Sequence, residues 1–285
     1  MQNAKMNILN RCFTKNWLNN CINFKTDKYY LEIARRYIEN LDTLTNYEVI
    51  QYIYNLMSKE YRNEYFYKNS ILNSILIKKH NPNTTVALSE FSVANSLADF
   101  VMINGKGSVY EIKTELDNLD RLENQINDYY KGFTYVSIVT YKKNKDKLKE
   151  ILDKYPNVGL LFLKNKNVVE DRKATYYAEQ LDAEVLFKML RKKEFEEVIL
   201  KCGSSLPQIN QFEYYTACKK IFESINIDDL QKNVMTVLKN RISITTNILG
   251  DIPYELKFIC YIANIDEKQN NMLNIFLNKK WGEVF

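Results

Sequence analysis

Apolar positions along the first 80 residues recur at helical spacing, and the period then shortens. Tyr30, Ile33, Tyr37 and Ile38 mark a helix over about 28–40. In "TNYE", Thr45 and Glu48 form a capping box in front of "VIQYIYNLM". A third helix fits "YRNEYFYKNSILNSILIKKH" (61–80), which runs into a turn at Asn81 and Pro82. Beyond Pro82 the segments "TTVALSEF" (84–91), "LADFVMI" (97–103) and "SVYEIKT" (108–114) are short, β-branched or aromatic, and divided by turn residues, as in a meander of strands. Asp117 or Asn118 can cap a helix whose stripe is Leu119, Leu122, Ile126 and Tyr129, with Gly132 at its end. "FTYVSIVTY" (133–141) reads as a strand, 145–154 as a short charged helix, and "NVGLLFL" (157–163) as another strand. The polar run 164–180 reads as a domain boundary, and the segments after it read as helices.

This pattern predicts an α/β fold: a central mixed sheet in an αβββαβ order, flanked by helical regions at both ends. The expected divisions are an N-terminal helical region over 1–58, a core over 59–165 and a C-terminal helical domain over 166–285.

Polar side chains break the apolar texture of the second and third strands. Asp99 interrupts one, and Glu111 and Lys113 interrupt the other. Alternation along a strand sends Glu111 and Lys113 to one face and Tyr110 and Ile112 to the other. Whether Asp99 joins them depends on the hairpin register. A two-residue Asn104-Gly105 turn pairs Asp99 with Tyr110. A three-residue Gly105-Lys106-Gly107 loop, with Gly107 in a left-handed bulge position, pairs it with Lys113. Of these two registers only the second gathers a site, and a bulge elsewhere would also restore the parity.

Composition narrows the chemistry. The chain has 285 residues, 46% of them hydrophobic and 26% charged, with seven glycines and four prolines, which suits a folded globular protein. The net charge of +5 leans towards polyanionic partners. Five cysteines form no CxxC pair and read as small buried hydrophobes. With one histidine, His80, the chain cannot build a Cys/His zinc site, a Ser-His-Asp triad or an HExxH helix. It also lacks GxxxxGK[ST] and GxGxxG loops. Neither a signal-peptide run nor a membrane-spanning one is expected, so an intracellular, cytoplasmic protein is the reading. Any catalysis falls to carboxylates and lysines.

Two carboxylates on neighbouring strands offer hard oxygen ligands to Mg²⁺, which keeps several waters and also binds phosphate. A lysine beside them can orient water and offset charge on a phosphorus centre. The pattern D99-x₁₁-E111-x-K113, on a hairpin preceded by a helix and strand and followed by a helix and strand, resembles the PD-(D/E)XK nuclease superfamily over about residues 60–165. Ala98 stands where the name-giving pattern has proline. The resemblance implies a restriction-endonuclease-like fold, with Asp99 and Glu111 binding metal and Lys113 catalysing. It also implies an acidic residue from the preceding helix, for which Glu64 is preferred over Glu90. Gln125 and Tyr129, four apart on one helical face, are similar to the QxxxY element of RecB-like members. The wider string from "RNEYFYKNSIL" to "NQINDYYK" also looks like a set of small, uncharacterised bacterial members, which suggests a mobile-element or phage-defence setting.

The function these readings imply is metal-dependent hydrolysis of phosphodiester bonds, with Mg²⁺ (or Mn²⁺ as substitute) as cofactor and nucleic acid, DNA before RNA, as partner. The competing readings are a non-cleaving module that keeps the scaffold for binding nucleic acid or protein, and an RNase or tRNA-cleaving toxin. Oligomeric state and any protein partner stay open. Lys106, at the hairpin tip, is a candidate phosphate contact and Tyr129 a candidate nucleic-acid contact. The tyrosines of 58–68 either stack on bases or pack in the core. Glu115, Asp117 and Asp120 read as helix-start residues rather than further ligands.

Overall fold

The computed structural model describes residues 7–115, 117–242, 244 and 246–283. The fold is α/β, with one six-stranded mixed sheet and helices flanking it. The strands are β1 (Val86–Val93), β2 (Ser96–Ile103), β3 (Gly107–Lys113), β4 (Tyr135–Thr140), β5 (Gly159–Lys164) and β6 (Asn167–Arg172), and they lie side by side in sequence order. β1, β2 and β3 form an antiparallel meander. β4 then runs parallel to β3, and β5 parallel to β4. The helix α1 (Leu122–Tyr130) provides the first crossover and α2 (Lys145–Lys154) the second, as parallel neighbours require. Lys113 and Thr140 therefore lie level at the carboxyl end of the parallel strands.

The hairpin between β2 and β3 takes neither expected register. Ile103 pairs with Gly107, which leaves Asn104-Gly105-Lys106 as the loop. Gly105, at φ +66°, takes the left-handed position, and the Asn104 N–H donates to the Lys106 carbonyl at 2.9 Å. Gly107 is a glycine for a different reason. A Cβ there would come within 2.5 Å of the Met235 sulfur and 2.6 Å of the Phe133 ring. Continued from Phe100 opposite Tyr110, the register sets Asp99 level with Glu111, so the face shared with Lys113 is reached through a loop one residue earlier than expected.

One face of the sheet, through Val101, Val109, Val136 and Ile138, shares a core with Leu122, Ile126, Tyr129 and Tyr130 of α1. The apolar stripe of this helix is as its spacing predicts, but its start is not. Asp117 accepts from the Thr114 N–H and hydroxyl instead, both at 2.7 Å, and Arg121 is the residue before the helix. The polar run after 163 is likewise no linker at its start, because it contains β6. Arg172 anchors that strand by donating to the carbonyls of Val158, Tyr155 and Leu152.

By its contacts the chain forms two units. The first comprises 1–83, 164–167 and 243–285; the second comprises 84–163 and 168–242. The second holds the sheet together with the helices 183–188, 192–201, 211–223 and 227–238, whose Leu186, Phe195, Phe222 and Val234 join the sheet's core. The segment expected as one C-terminal domain over 166–285 is therefore shared between the units, and 59–83 groups with the N-terminal helices. In the first unit the capping box of Thr45 and Glu48 is formed, and the Asn46 amide donates to the carbonyls of Phe276 and Lys279. The helix expected over 61–80 is α-helical from Glu64 to Ile71 and π-helical from Leu72 to Ile77. The Asn73 amide donates to the Asn69 carbonyl at 2.8 Å, competing there with the backbone ladder. Tyr61 and Tyr67 are buried, and Tyr65 stacks on Phe13; these rings pack the core and are not a platform for bases. Among the described residues the five cysteines are free thiols, and no helix is long and apolar enough to cross a membrane.

Candidate functional site

The site forms where β2 and β3 part. Their pairing ends at Phe100 opposite Tyr110. One step further on, the Ile112 N–H donates to Asp99 Oδ2 at 2.7 Å instead of to a backbone carbonyl of β2. The Asp99 carboxylate thus stands in the gap between two diverging strands, half-buried, next to the strand that carries Glu111 and Lys113.

Glu111 is 1% exposed and Lys113 8%, so their charges are nearly out of water and must compensate each other. Lys113 Nζ lies 2.8 Å from Glu111 Oε1 and donates to Gln125 Oε1, also at 2.8 Å. The other Glu111 oxygen, Oε2, accepts the Tyr129 hydroxyl at 2.5 Å, and the same hydroxyl lies 3.1 Å from the Leu97 carbonyl. Gln125 and Tyr129 are one turn apart on α1. A single helix therefore braces both ends of the Glu111–Lys113 pair. Burial, then the neighbouring charge of Glu111 and its hydrogen bond, then the charge of Asp99, push the Tyr129 phenol well above its ordinary value. The phenol stays protonated and acts as a donor.

Five residues singled out in the sequence, Asp99, Glu111, Lys113, Gln125 and Tyr129, meet here. Lys106 does not join them. Lys106 lies at the opposite end of β3, where Nζ donates to the Tyr135 hydroxyl at 3.1 Å. Tyr135 is aligned with Ser108, whose parity points to the other face of the sheet from Glu111. Glu64 begins a helix of the first unit and is ion-paired with Lys68. Glu90 is on β1, level with Asp99 by the register of its neighbours, exposed and at φ +53°. Two supporting residues escaped the sequence reading. Thr140 Oγ1 donates to the Lys113 carbonyl at 2.6 Å, and the Asn144 amide donates to Thr140 Oγ1 at 3.0 Å. Their signal was positional: both sit where β4 ends beside β3.

The donors suit a hard cation. Two carboxylates match an ion such as Mg²⁺ that keeps several of its waters, and they do not match zinc, which favours nitrogen and sulfur ligands. Among the described residues no group of three or more His, Cys, Asp or Glu side chains gathers to hold a metal, so any ion here would lean on water and substrate for its remaining ligands.

A mixed sheet whose carboxyl end carries a carboxylate–lysine site defines the class structurally. The family is set by sequence. Residues 57–251 match the family model of bacteriophage P4 protein cII, and the chain belongs to that family. It is 25% identical to Protein cII of Enterobacteria phage P4 over 178 residues, which are 60% of this chain and 65% of that protein. The chain thus spans less than two thirds of that relative's length. Among solved structures, a protein of unknown function from Silicibacter pomeroyi is similar at 13% identity and a TM-score of 0.31, over 38% of this chain and 69% of that one.

Proposed function

We propose that the chain is a metal-dependent nuclease of the PD-(D/E)XK kind that hydrolyses phosphodiester bonds, with DNA as its first substrate and Mg²⁺ or Mn²⁺ as cofactor. The observation that carries this reading is the meeting of Asp99, Glu111 and Lys113 where β2 and β3 part, with Asp99 hydrogen-bonded to the Ile112 N–H between the two charged residues. The strand order and the crossover through α1 support a restriction-endonuclease-like core. A relative carried by phage P4 supports a setting among mobile elements.

In this reading Asp99 and Glu111 hold the ion. Bound there, Mg²⁺ would polarise the phosphate and lower the pKa of a water. Lys113 Nζ, a three-donor ammonium, offsets negative charge on the non-bridging phosphate oxygens and orients the attacking water. Gln125 is a positioning residue that fixes Lys113. Tyr129 keeps its proton and fixes Glu111 Oε2, leaving the carboxylate plane set before substrate arrives.

The test is incubation of the purified protein with linear, circular and single-stranded DNA and with RNA, in Mg²⁺, Mn²⁺ and EDTA, alongside Asp99→Ala, Glu111→Ala and Lys113→Ala. Expected are products on DNA that need the metal and are missing for all three variants while their melting stays cooperative. Variants as active as the native chain would remove the assignment, and products on RNA alone would move the substrate class.

A further inference from the structure

Glu111 is the more enclosed of the two carboxylates, and both of its oxygens are engaged: Oε2 by the Tyr129 hydroxyl and Oε1 by the Lys113 ammonium. An ion arriving at Oε1 meets a cation already in place. Two cations within about 4 Å of each other repel strongly even at an effective dielectric near 20. Sharing that oxygen on the present geometry carries this repulsion in full. Lys113 also has a second partner, Gln125 Oε1, at the same 2.8 Å.

We propose that the Lys113 ammonium is the resident counter-ion of Glu111, that a divalent cation binds by displacing it, and that Gln125 receives the displaced ammonium and keeps it beside the ion. The inference rests on the metal-binding reading of the site and deepens it. A carboxylate as buried as Glu111 is costly to leave bare, and exchange of one cation for another keeps it compensated throughout. The receiving group is a neutral amide oxygen, which can hold an ammonium without binding it as tightly as a carboxylate would. Gln125 sits one turn from Tyr129, so the helix that braces the carboxylate also carries the second berth of the lysine.

The experiment is calorimetric titration of Mn²⁺ into the full chain without nucleic acid, for the native protein, Lys113→Met, Lys113→Gln, Gln125→Leu and the Lys113→Met/Gln125→Leu double variant, each checked by thermal melting. Lys113→Gln keeps a hydrogen bond to Glu111 without the charge, and serves if Lys113→Met fails to fold. Both Lys113 variants are expected to bind Mn²⁺ at least about tenfold more tightly, a modest share of the repulsion from one charge at this range. Gln125→Leu is expected to bind more weakly, because the ammonium then stays on Glu111. That loss should vanish in the double variant. Lys113 variants that bind no more tightly, or a Gln125→Leu loss that persists without the lysine, would overturn the inference and leave the metal site standing. Absence of Mn²⁺ binding by every form would remove the metal-binding reading itself, and this inference with it.

Discussion

The Asp99 carboxylate caps the Ile112 backbone N–H at 2.7 Å, in the place where the ladder between β2 and β3 has ended. One side chain therefore has two duties: it closes the open end of the hairpin and presents an oxygen to the site. The duties separate by substitution. Asp99→Asn keeps an acceptor for the N–H, so its unfolding free energy should stay within about 1 kcal/mol of native, whereas Asp99→Ala orphans a buried donor and should cost about 1–3 kcal/mol. On the proposed nuclease reading both should lose metal-dependent cleavage. Urea unfolding beside a cleavage assay reads the split, and Asn and Ala variants of equal stability would show that the cap is dispensable.

Tyr129 carries a pH prediction. Its folded-state phenol is raised by burial and then by Glu111, while an unfolded tyrosine titrates at about 10. The folded chain keeps the proton where the unfolded chain gives it up. The stability from this group is complete below about pH 10 and is lost as the pH rises through and beyond that value. Burial first raises Tyr30, Tyr54 and Tyr65 in the same direction, so alkaline unfolding should be steep. Tyr129→Phe should cost about 1–2 kcal/mol at neutral pH and make the alkaline loss shallower by up to about 1.4 kcal/mol per pH unit. Denaturation midpoints between pH 8 and 11 measure both; an unchanged slope would mean that the phenol does not keep its proton.

The readable part of the site was written in local rules. Glu111 and Lys113 share a face because side chains alternate along a strand, and Gln125 and Tyr129 share one because residues four apart are neighbours on the surface of a helix. The hairpin loop was not readable, since Gly107 is set by Phe133 and Met235, which arrive from elsewhere in the chain. β6 escaped because it is a polar edge strand, held by Arg172 through three carbonyls rather than by an apolar pattern. The grouping of 243–285 with the N-terminal helices was equally hidden. It depends on contacts such as Asn46 with Phe276 and Lys279, which no windowed pattern contains.

Glu90 sits in the left-handed region at φ +53° within a strand, a conformation that costs a non-glycine residue about 1 kcal/mol or more. Glycine has no such cost. Glu90→Gly should therefore leave stability unchanged or raise it by up to about 1 kcal/mol. On the proposed metal-binding reading, with the Glu90 carboxylate serving an ion held beside Asp99, the same variant and Glu90→Gln should both weaken Mn²⁺ binding. Melting temperature and Mn²⁺ titration decide it. Native affinity in Glu90→Gln would return the strain to a purely local cause.

The two ends of the sheet should differ in their effect on nucleic acid. At the carboxyl end, Thr140 and Asn144 tie the 3-10 turn Lys142–Asn144 after β4 to Lys113 and Thr114, and the exposed Lys142 and Lys143 lie on that turn. Lys106 is exposed at the other end, beside a tyrosine of the opposite face. On the proposed nuclease reading, a strand whose phosphate reaches Lys113 passes the first pair and not the second. The Lys142→Glu/Lys143→Glu variant should thus bind DNA at least about tenfold more weakly at low salt, with the slope of log K against log salt reduced by roughly 2, the value for two lost phosphate contacts. Lys106→Glu should bind within about twofold of native. Filter binding over a series of salt concentrations gives both numbers, and a larger loss in Lys106→Glu would place the path of the nucleic acid at the hairpin tip instead.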